Sequence, residues 1–131
     1  MTARMLQPTG WKSPRGYANG VSASGRTIFV AGMIGWDADA RLVSTELVPQ
    51  SAQALRNIVA VLAEDGARPE HVVRLTWFVT DRVAYLREAE ALGAAYREVM
   101  GRHFPAMSVV EVSALMERDA LVEIEATAVV P

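Results

Sequence analysis

Several short segments of this chain alternate hydrophobic with polar positions, which is the pattern of β-strands. Residues 16–22 and 26–33 are the first two, and the three residues between them suit a hairpin of antiparallel strands. The later segments are rich in β-branched and aromatic side chains, and they comprise residues 71–80, 107–115 and 120–130. Turn-forming residues from 35 to 39 lead to a shorter strand fragment at 41–43. The pattern therefore predicts six strands.

Two intervening segments have a hydrophobic period of three and four residues, which predicts α-helices. The first begins near Pro49, which suits a first helical turn, and ends before Gly66, which suits the position just past a helix. The second begins after Asp81, whose carboxylate can cap it, and ends at Gly101. The order ββ(β)αβαββ favours an α+β fold with one mixed six-stranded sheet and both helices on a single face. We expect residues 1–131 to form one domain.

The two faces of the predicted sheet differ in polarity. One face of the last strand carries only apolar side chains, those of Val122, Ile124, Ala126 and Ala128. We expect this face to meet the helices. The opposite face mixes carboxylates with apolar groups, and it consists of Leu121, Glu123, Glu125, Thr127 and Val129. Because no other segment of the chain is left to cover this mixed face, we expect it to contact a partner subunit.

Composition and charge narrow the functional classes. Hydrophobic residues make up 51% of the chain and charged residues 21%, which is typical of an ordinary soluble globular protein. A net charge of −2 gives no general attraction to polyanions, so nucleic acid is not an expected partner. No window approaches the roughly 20 apolar residues of a membrane span, and the first residues lack the apolar core of a signal peptide. We therefore expect no membrane contact and a cytoplasmic location.

The chain offers few groups for metal or thiol chemistry. It has no cysteine, and its two histidines, His71 and His103, do not match a metal-ligand spacing. We expect neither a metal nor a cofactor. His103 follows the second predicted helix, where the helix dipole favours a cation, so a structural role is favoured over that of a catalytic base.

Four stretches of the chain form a distinctive set, namely "GYANGV…GRTIFVAGMIGWD", "VVRLTWFVTD", "FPAMSVVEV" and "VEIEATAVV". Together, over about residues 15 to 130, they resemble the RidA/YjgF family of reactive intermediate deaminases, which were first described as endoribonucleases. The third and fourth stretches are the most specific as a pair. The resemblance implies a chorismate-mutase-like α+β fold and a homotrimer whose sheets line a central barrel. It also implies three small-molecule sites at the subunit interfaces.

The resemblance assigns roles to individual residues. Tyr17 matches a tyrosine of the family's first strand, Gly32 matches the glycine whose backbone N–H faces the ligand, and Glu123 matches the carboxylate that orients the attacking water. In the deaminating members, an arginine at the position of Met107 holds the carboxylate of an imino acid. A guanidinium binds a carboxylate through two parallel hydrogen bonds, whereas a thioether offers dispersion contacts and a poor acceptor. Met107 therefore cannot replace that arginine.

Other departures from the family pattern also remove polarity. Val109 stands where the family has a cysteine, Ala31 where it has serine or threonine, and Gly93 where the second helix has an asparagine. We therefore expect the cleft to accept a more apolar ligand, with Trp36 contributing one wall.

Each candidate residue also has a structural interpretation. Met107 suits an irregular gap in a core or an interface as well as a ligand site. Tyr17 and Trp36 suit a subunit interface, where aromatic residues are enriched. Glu123 and Glu125 lie on the same face of one strand, where either carboxylate suits solvent or a partner arginine.

Three functions remain open from the sequence. The first is hydrolysis of an enamine or imine other than the usual 2-imino acids, in which water held by Glu123 adds to the C=N carbon and ammonia leaves. Its substrate either lacks the carboxylate or uses another cation, for which Arg15, close to Tyr17, is a candidate. The second is a non-catalytic homotrimer that binds a small metabolite. The third is an endoribonuclease, which the sequence supports least because neither histidine lies near a basic phosphate site.

Overall fold

Strands and helices alternate along most of the chain in the computed structural model, which describes residues 3–131. The elements in chain order are β1 (Ala3–Met5), β2 (Val21–Ala23), β3 (Arg26–Met33), α1 (Leu47–Ala63), a short 3₁₀ helix (Pro69–His71), β4 (Val72–Val79), α2 (Arg82–Arg87), α3 (Ala89–Met100), β5 (Ala106–Glu111) and β6 (Val122–Val130). The predicted α+β class is confirmed.

The main sheet contains four strands in the order β3, β6, β4 and β5. Strand β6 is antiparallel to both of its neighbours, whereas β4 and β5 are parallel, so the sheet is mixed as predicted. The predicted count of six strands in one sheet is wrong, because β1 and β2 form a separate antiparallel pair. The fragment predicted at 41–43 contributes only a bridge between Leu42 and Trp36.

The predicted hairpin between residues 16–22 and β3 is also wrong. Strand β2 pairs with β1, and the Leu6 N–H extends that ladder by donating to the Gly20 carbonyl over 2.9 Å. Residues before β2 lie instead beside β5, where the Ala18 N–H donates to the Pro105 carbonyl over 2.9 Å. Strand β1 thus pairs with β2 in the place that the hairpin assigned to β3. The alternation of side chains along β2 does not reveal which strand is its partner.

The helices cover one face of the main sheet, and the core lies between them. Fully buried side chains of α1, β4 and β6 form its centre, and they include Leu55, Ile58, Leu62, Val72, Leu75, Val122, Ile124 and Ala128. The alternate positions of β6 are half-buried or exposed. The predicted division of this strand into an apolar face against the helices and a mixed outer face is therefore confirmed.

The second predicted helix is divided in two. Asp81 caps it as predicted, because its carboxylate accepts from the Ala84 N–H over 3.0 Å, and the Glu111 carboxylate accepts from the Arg82 N–H over 2.8 Å. The helix is interrupted at Glu88, whose φ of −100° and ψ of 18° leave the helical region. It ends before Gly101 as predicted, where a φ of 73° favours glycine. The break separates α2 from α3, which packs on α1.

A buried glutamine ties two loops to α1. The Gln50 side chain is fully buried, and its amide nitrogen donates to the carbonyls of Ser44 and Asp119 over 2.9 and 3.0 Å. Its amide oxygen accepts from the Leu121 N–H over 2.8 Å. Gly35 lies directly against this helix, since a Cβ at residue 35 would be 2.5 Å from the Gln50 Cα. These contacts fix the entry to α1 and the start of β6 relative to each other.

Candidate functional site

A cleft of about 770 Å³ opens where β5, α2, α3 and residues 15–17 meet. Most of its lining is apolar, and its aromatic rings are those of Tyr17, Trp77, Tyr85, Tyr96 and Phe104. Its volume lies in the range that is usual for small-molecule sites, about 300–1,000 Å³. The cleft is therefore large enough for a ligand with an aromatic or branched body.

Hydrogen bonds and ring contacts hold the cleft walls in place. The Tyr96 hydroxyl donates to the His103 carbonyl, and its ring stacks on Phe104 with 5.5 Å between centroids. The rings of Trp77 and Tyr85 meet edge to face at 6.2 Å. Burial raises the pKa of Tyr85 and that of Tyr96, so both phenols stay neutral at physiological pH. The walls therefore present uncharged aromatic surface.

His103 has a structural contact at the back of this wall. One of its ring nitrogens, Nε2, lies 2.6 Å from the Val72 carbonyl oxygen, so its N–H donates a hydrogen bond to the backbone of β4. This contact differs from the predicted interaction with the end of the preceding helix. The imidazole does not line the cleft.

Two of the predicted site residues line the cleft from β5. Met107 and Val109 are paired in register with Leu75 and Trp77 of β4, so their side chains lie on the face that the helices cover. Both are half-buried and also pack against the core. Met107 thus lines the cleft and packs against the core at the same time. Tyr17 reaches the same cleft because the bond at Ala18 holds its segment beside β5.

Glu123 and Gly32 lie together on the opposite face of the sheet. Glu123 is paired across the ladder with Phe78, whose side chain faces away from the helices. Gly32 lies in a β-bulge between Val30 and Met33, and a Cβ added there would collide with the Glu123 carboxylate. A larger residue at position 32 would therefore displace the Glu123 carboxylate from this position. Among residues 3–131, Glu123 has no salt-bridge partner.

Trp36 lies apart from both groups. It is half-buried in the loop after β3, where the Asn57 amide donates to its carbonyl over 2.9 Å and to that of Ile34 over 3.0 Å. It does not line the cleft of this chain. The predicted site residues therefore fall into three places: the cleft, the outer face of the sheet and this loop.

Several residues of the cleft were not predicted from the sequence. Trp77 reads as a core residue of a strand, and Tyr85 and Tyr96 belong to the apolar stripe of a helix. Arg97 resembles any exposed helical arginine. One signal was available, because Arg97 lies one helical turn after Gly93, a position that the family resemblance places near the ligand.

No cluster of three or more histidine, aspartate or glutamate side chains within residues 3–131 has the arrangement of a metal site. In the same range, no helix combines the length and the apolar character needed to cross a bilayer.

The chain is similar to proteins of one known family. The model of the family described as "Endoribonuclease L-PSP" matches residues 11–130. A RutC family protein of Synechocystis sp. is 35% identical, with 100% of this chain and 99% of that protein covered. The 2-iminobutanoate/2-iminopropanoate deaminase of Salmonella typhimurium is 33% identical, with 86% of each covered. The crystal structure of YyfB from Yersinia pestis, of the conserved Rid protein family, has a TM-score of 0.88 at 34% identity and covers 99% of this chain and 100% of that one. The chain therefore belongs to the endoribonuclease L-PSP family, which is the RidA/YjgF family that its motifs resemble.

Proposed function

We propose that this protein hydrolyses an imine or enamine other than the usual 2-imino acids, in sites that two chains of a homotrimer complete together. The observation that carries the proposal is the division of the site residues between two faces of one sheet. Tyr17, Met107 and Val109 lie on the helix side, whereas Gly32 and Glu123 lie on the outer side. A ligand could touch both groups only if the outer face of one chain lies against the cleft of another.

The polarity of the outer face supports such an assembly. Phe29 on β3 is 79% exposed, and it shares this face with Thr127, Glu125 and Phe78. A large aromatic side chain this exposed is unusual on a surface that stays in solvent, and it is common at subunit contacts.

In the proposed reaction, the Glu123 carboxylate accepts a proton from water while the water oxygen bonds to the imine carbon. The C=N π electrons move to nitrogen, which receives the proton from Glu123, and this gives an amino alcohol. Glu123 then transfers the hydroxyl proton to the amine nitrogen, so that the C–N bond breaks, ammonia leaves and a carbonyl remains. Relatives named as 2-iminobutanoate/2-iminopropanoate deaminases support this reaction class. The apolar lining around Met107 supports a different substrate from theirs.

The reaction is tested by ammonia release from a panel of imines and enamines, ranging from 2-iminopropionate to imines with larger apolar groups. We expect the native protein to act on at least one of the larger compounds. The variant Glu123→Gln, which cannot accept the proton, is expected to be at least about tenfold slower. Glu125→Gln is the matched control, because Glu125 lies on the same face of the same strand. Equal rates in all three proteins would overturn the role of Glu123.

A non-catalytic homotrimer that binds a small metabolite is the second candidate, and the apolar replacements at Met107 and Val109 favour it. Binding of a panel compound without ammonia release would support it. The endoribonuclease function is not favoured, because both histidines bond to backbone groups. His71 Nδ1 accepts from the Arg68 N–H over 2.9 Å, and His103 bonds to Val72.

The proposed assembly predicts a mass of about three times the 14.2 kDa of one chain. Permanent interfaces bury more than about 2,000 Å² in total and do not dissociate readily on dilution. Light scattering at micromolar protein concentration measures this mass directly. A monomeric mass under these conditions would contradict the two-chain site.

A further inference from the structure

We propose that Arg97 binds the anionic group of the ligand in this cleft, and that the ligand is a monocarboxylate with an apolar body of about aromatic size. The inference rests on the proposed use of the cleft as the ligand site. It concerns a residue of α3, whereas the resemblance to deaminating relatives points to a cation on β5.

The charges in the cleft favour an anion. Of the described residues that line it, three carry charge, namely Arg15, Glu90 and Arg97. Neither arginine has a salt bridge within residues 3–131. The lining thus has an excess positive charge, although the whole chain has a net charge of −2. Both arginines are exposed in the single chain, and a second chain lying against the cleft, as proposed above, would reduce the hydration that competes with a carboxylate for the guanidinium.

The position of Arg97 is better defined than that of Arg15. Arg97 projects from a regular helix, and a Cβ added at Gly93 would be 3.3 Å from its Nη1 atom. The guanidinium therefore lies over Gly93, at a point where a larger residue would crowd it. Arg15 precedes Gly16, whose φ is 79°, in an exposed loop. The helix fixes the backbone of Arg97, so ligand binding there orders a side chain but not a loop.

The number of cations and the size of the cleft restrict the ligand. Two arginines and one glutamate leave the cleft lining with one excess positive charge, which matches a single carboxylate, whereas a polyphosphate or an RNA backbone requires several cations. The remaining walls are aromatic or aliphatic, and the volume of 770 Å³ far exceeds the space that a three-carbon acid fills. A carboxylate with an aromatic or branched body would use both features.

The test compares a carboxylate with its neutral amide. Isothermal titration calorimetry measures the binding of 3-phenylpropionate and of 3-phenylpropionamide to the native trimer and to variants. We expect the native protein to bind the acid about tenfold more tightly than the amide, because charge-assisted hydrogen bonds are stronger than neutral ones. Arg97→Gln is expected to abolish this preference, and Arg97→Lys to keep a reduced one. Arg56→Gln is the matched control, since Arg56 is an exposed helical arginine outside the cleft.

Each contrary outcome overturns the proposal. It fails if the native protein binds neither probe at millimolar concentration, or binds both equally. It fails if Arg97→Gln keeps the full preference, and it also fails if the preference disappears only in Arg15→Gln, which would assign the role to Arg15. The titration involves no turnover, so it is independent of the ammonia assay. A failure of hydrolysis and a failure of carboxylate binding can therefore be distinguished.

Discussion

Replacing Met107 with arginine is expected to raise kcat/KM for 2-iminopropionate by about a hundredfold, which corresponds to roughly 3 kcal/mol of transition-state binding. In the native cleft, a small 2-imino acid has no cation on β5 to hold its carboxylate. Arg97 on α3 would hold the acid away from the position that the family motif assigns to the substrate. At the position that the family motif assigns, the carboxylate of the imino acid would be desolvated and unpaired, which costs several kcal/mol. Native turnover of this compound should therefore be slow.

The measurement is the decrease in semicarbazide trapping when native or variant protein is added to 2-iminopropionate formed in situ. Met107→Leu serves as the control, because it conserves volume without adding charge and is expected to leave the rate unchanged. Since Met107 also packs against the core, mass and thermal stability are measured for each variant. Fast turnover by the native protein would show that the reaction does not need an arginine at this position.

Replacing Gln50 with leucine is expected to lower the free energy of unfolding by about 3 kcal/mol, because three backbone groups lose their hydrogen bonds to a fully buried side chain. The affected groups are the carbonyls of Ser44 and Asp119 and the N–H of Leu121. Leucine has nearly the volume of glutamine, so little of the effect should come from packing. Urea denaturation measures the change, and an unchanged m value would show that it reflects stability alone.

Gln53→Leu is the matched control for this prediction. Gln53 lies on the same helix but is only half-buried, and its amide donates to a single side chain, that of Asn57, over 2.9 Å. We expect a cost below about 1 kcal/mol. Equal costs for the two leucine variants would show that the buried amide of Gln50 does not hold the two loops.

The parts of the fold that the sequence predicted are those that depend on local periodicity. The alternation from Val122 to Ala128 correctly separated the core side of β6 from its outer side, and Asp81 and Gly101 marked helix ends through their own backbone contacts. Strand pairing depends on long-range contacts, so the partner of β2 was missed. Strand β1 has only three residues, which is too short for the alternation of apolar and polar side chains to reveal it.

The candidate site was predictable only in part, for a related reason. Tyr17, Met107 and Val109 were placed together through the family resemblance, and the structure brings them to one cleft. The proposed role of Arg97 depends on the residues of β4, β5 and residues 15–17 that line the same cleft. The periodicity of one helix does not reveal these neighbours. In the proposed assembly, the position of Glu123 relative to the cleft depends on a second chain, so one sequence read by itself could not place it.

The alternation along β6 has a consequence for how this protein can evolve. Its even-numbered residues from Val122 to Ala128 fill the core, while the odd-numbered ones, including Glu123, face outward. Deleting or inserting one residue would exchange these two sets, moving carboxylates into the core and alanines onto the outer face. A length change in this strand that no bulge absorbs would thus disrupt the core and the proposed site together. We therefore expect β6 to diverge by substitution, and sequence gaps between relatives to fall in the loops that flank it.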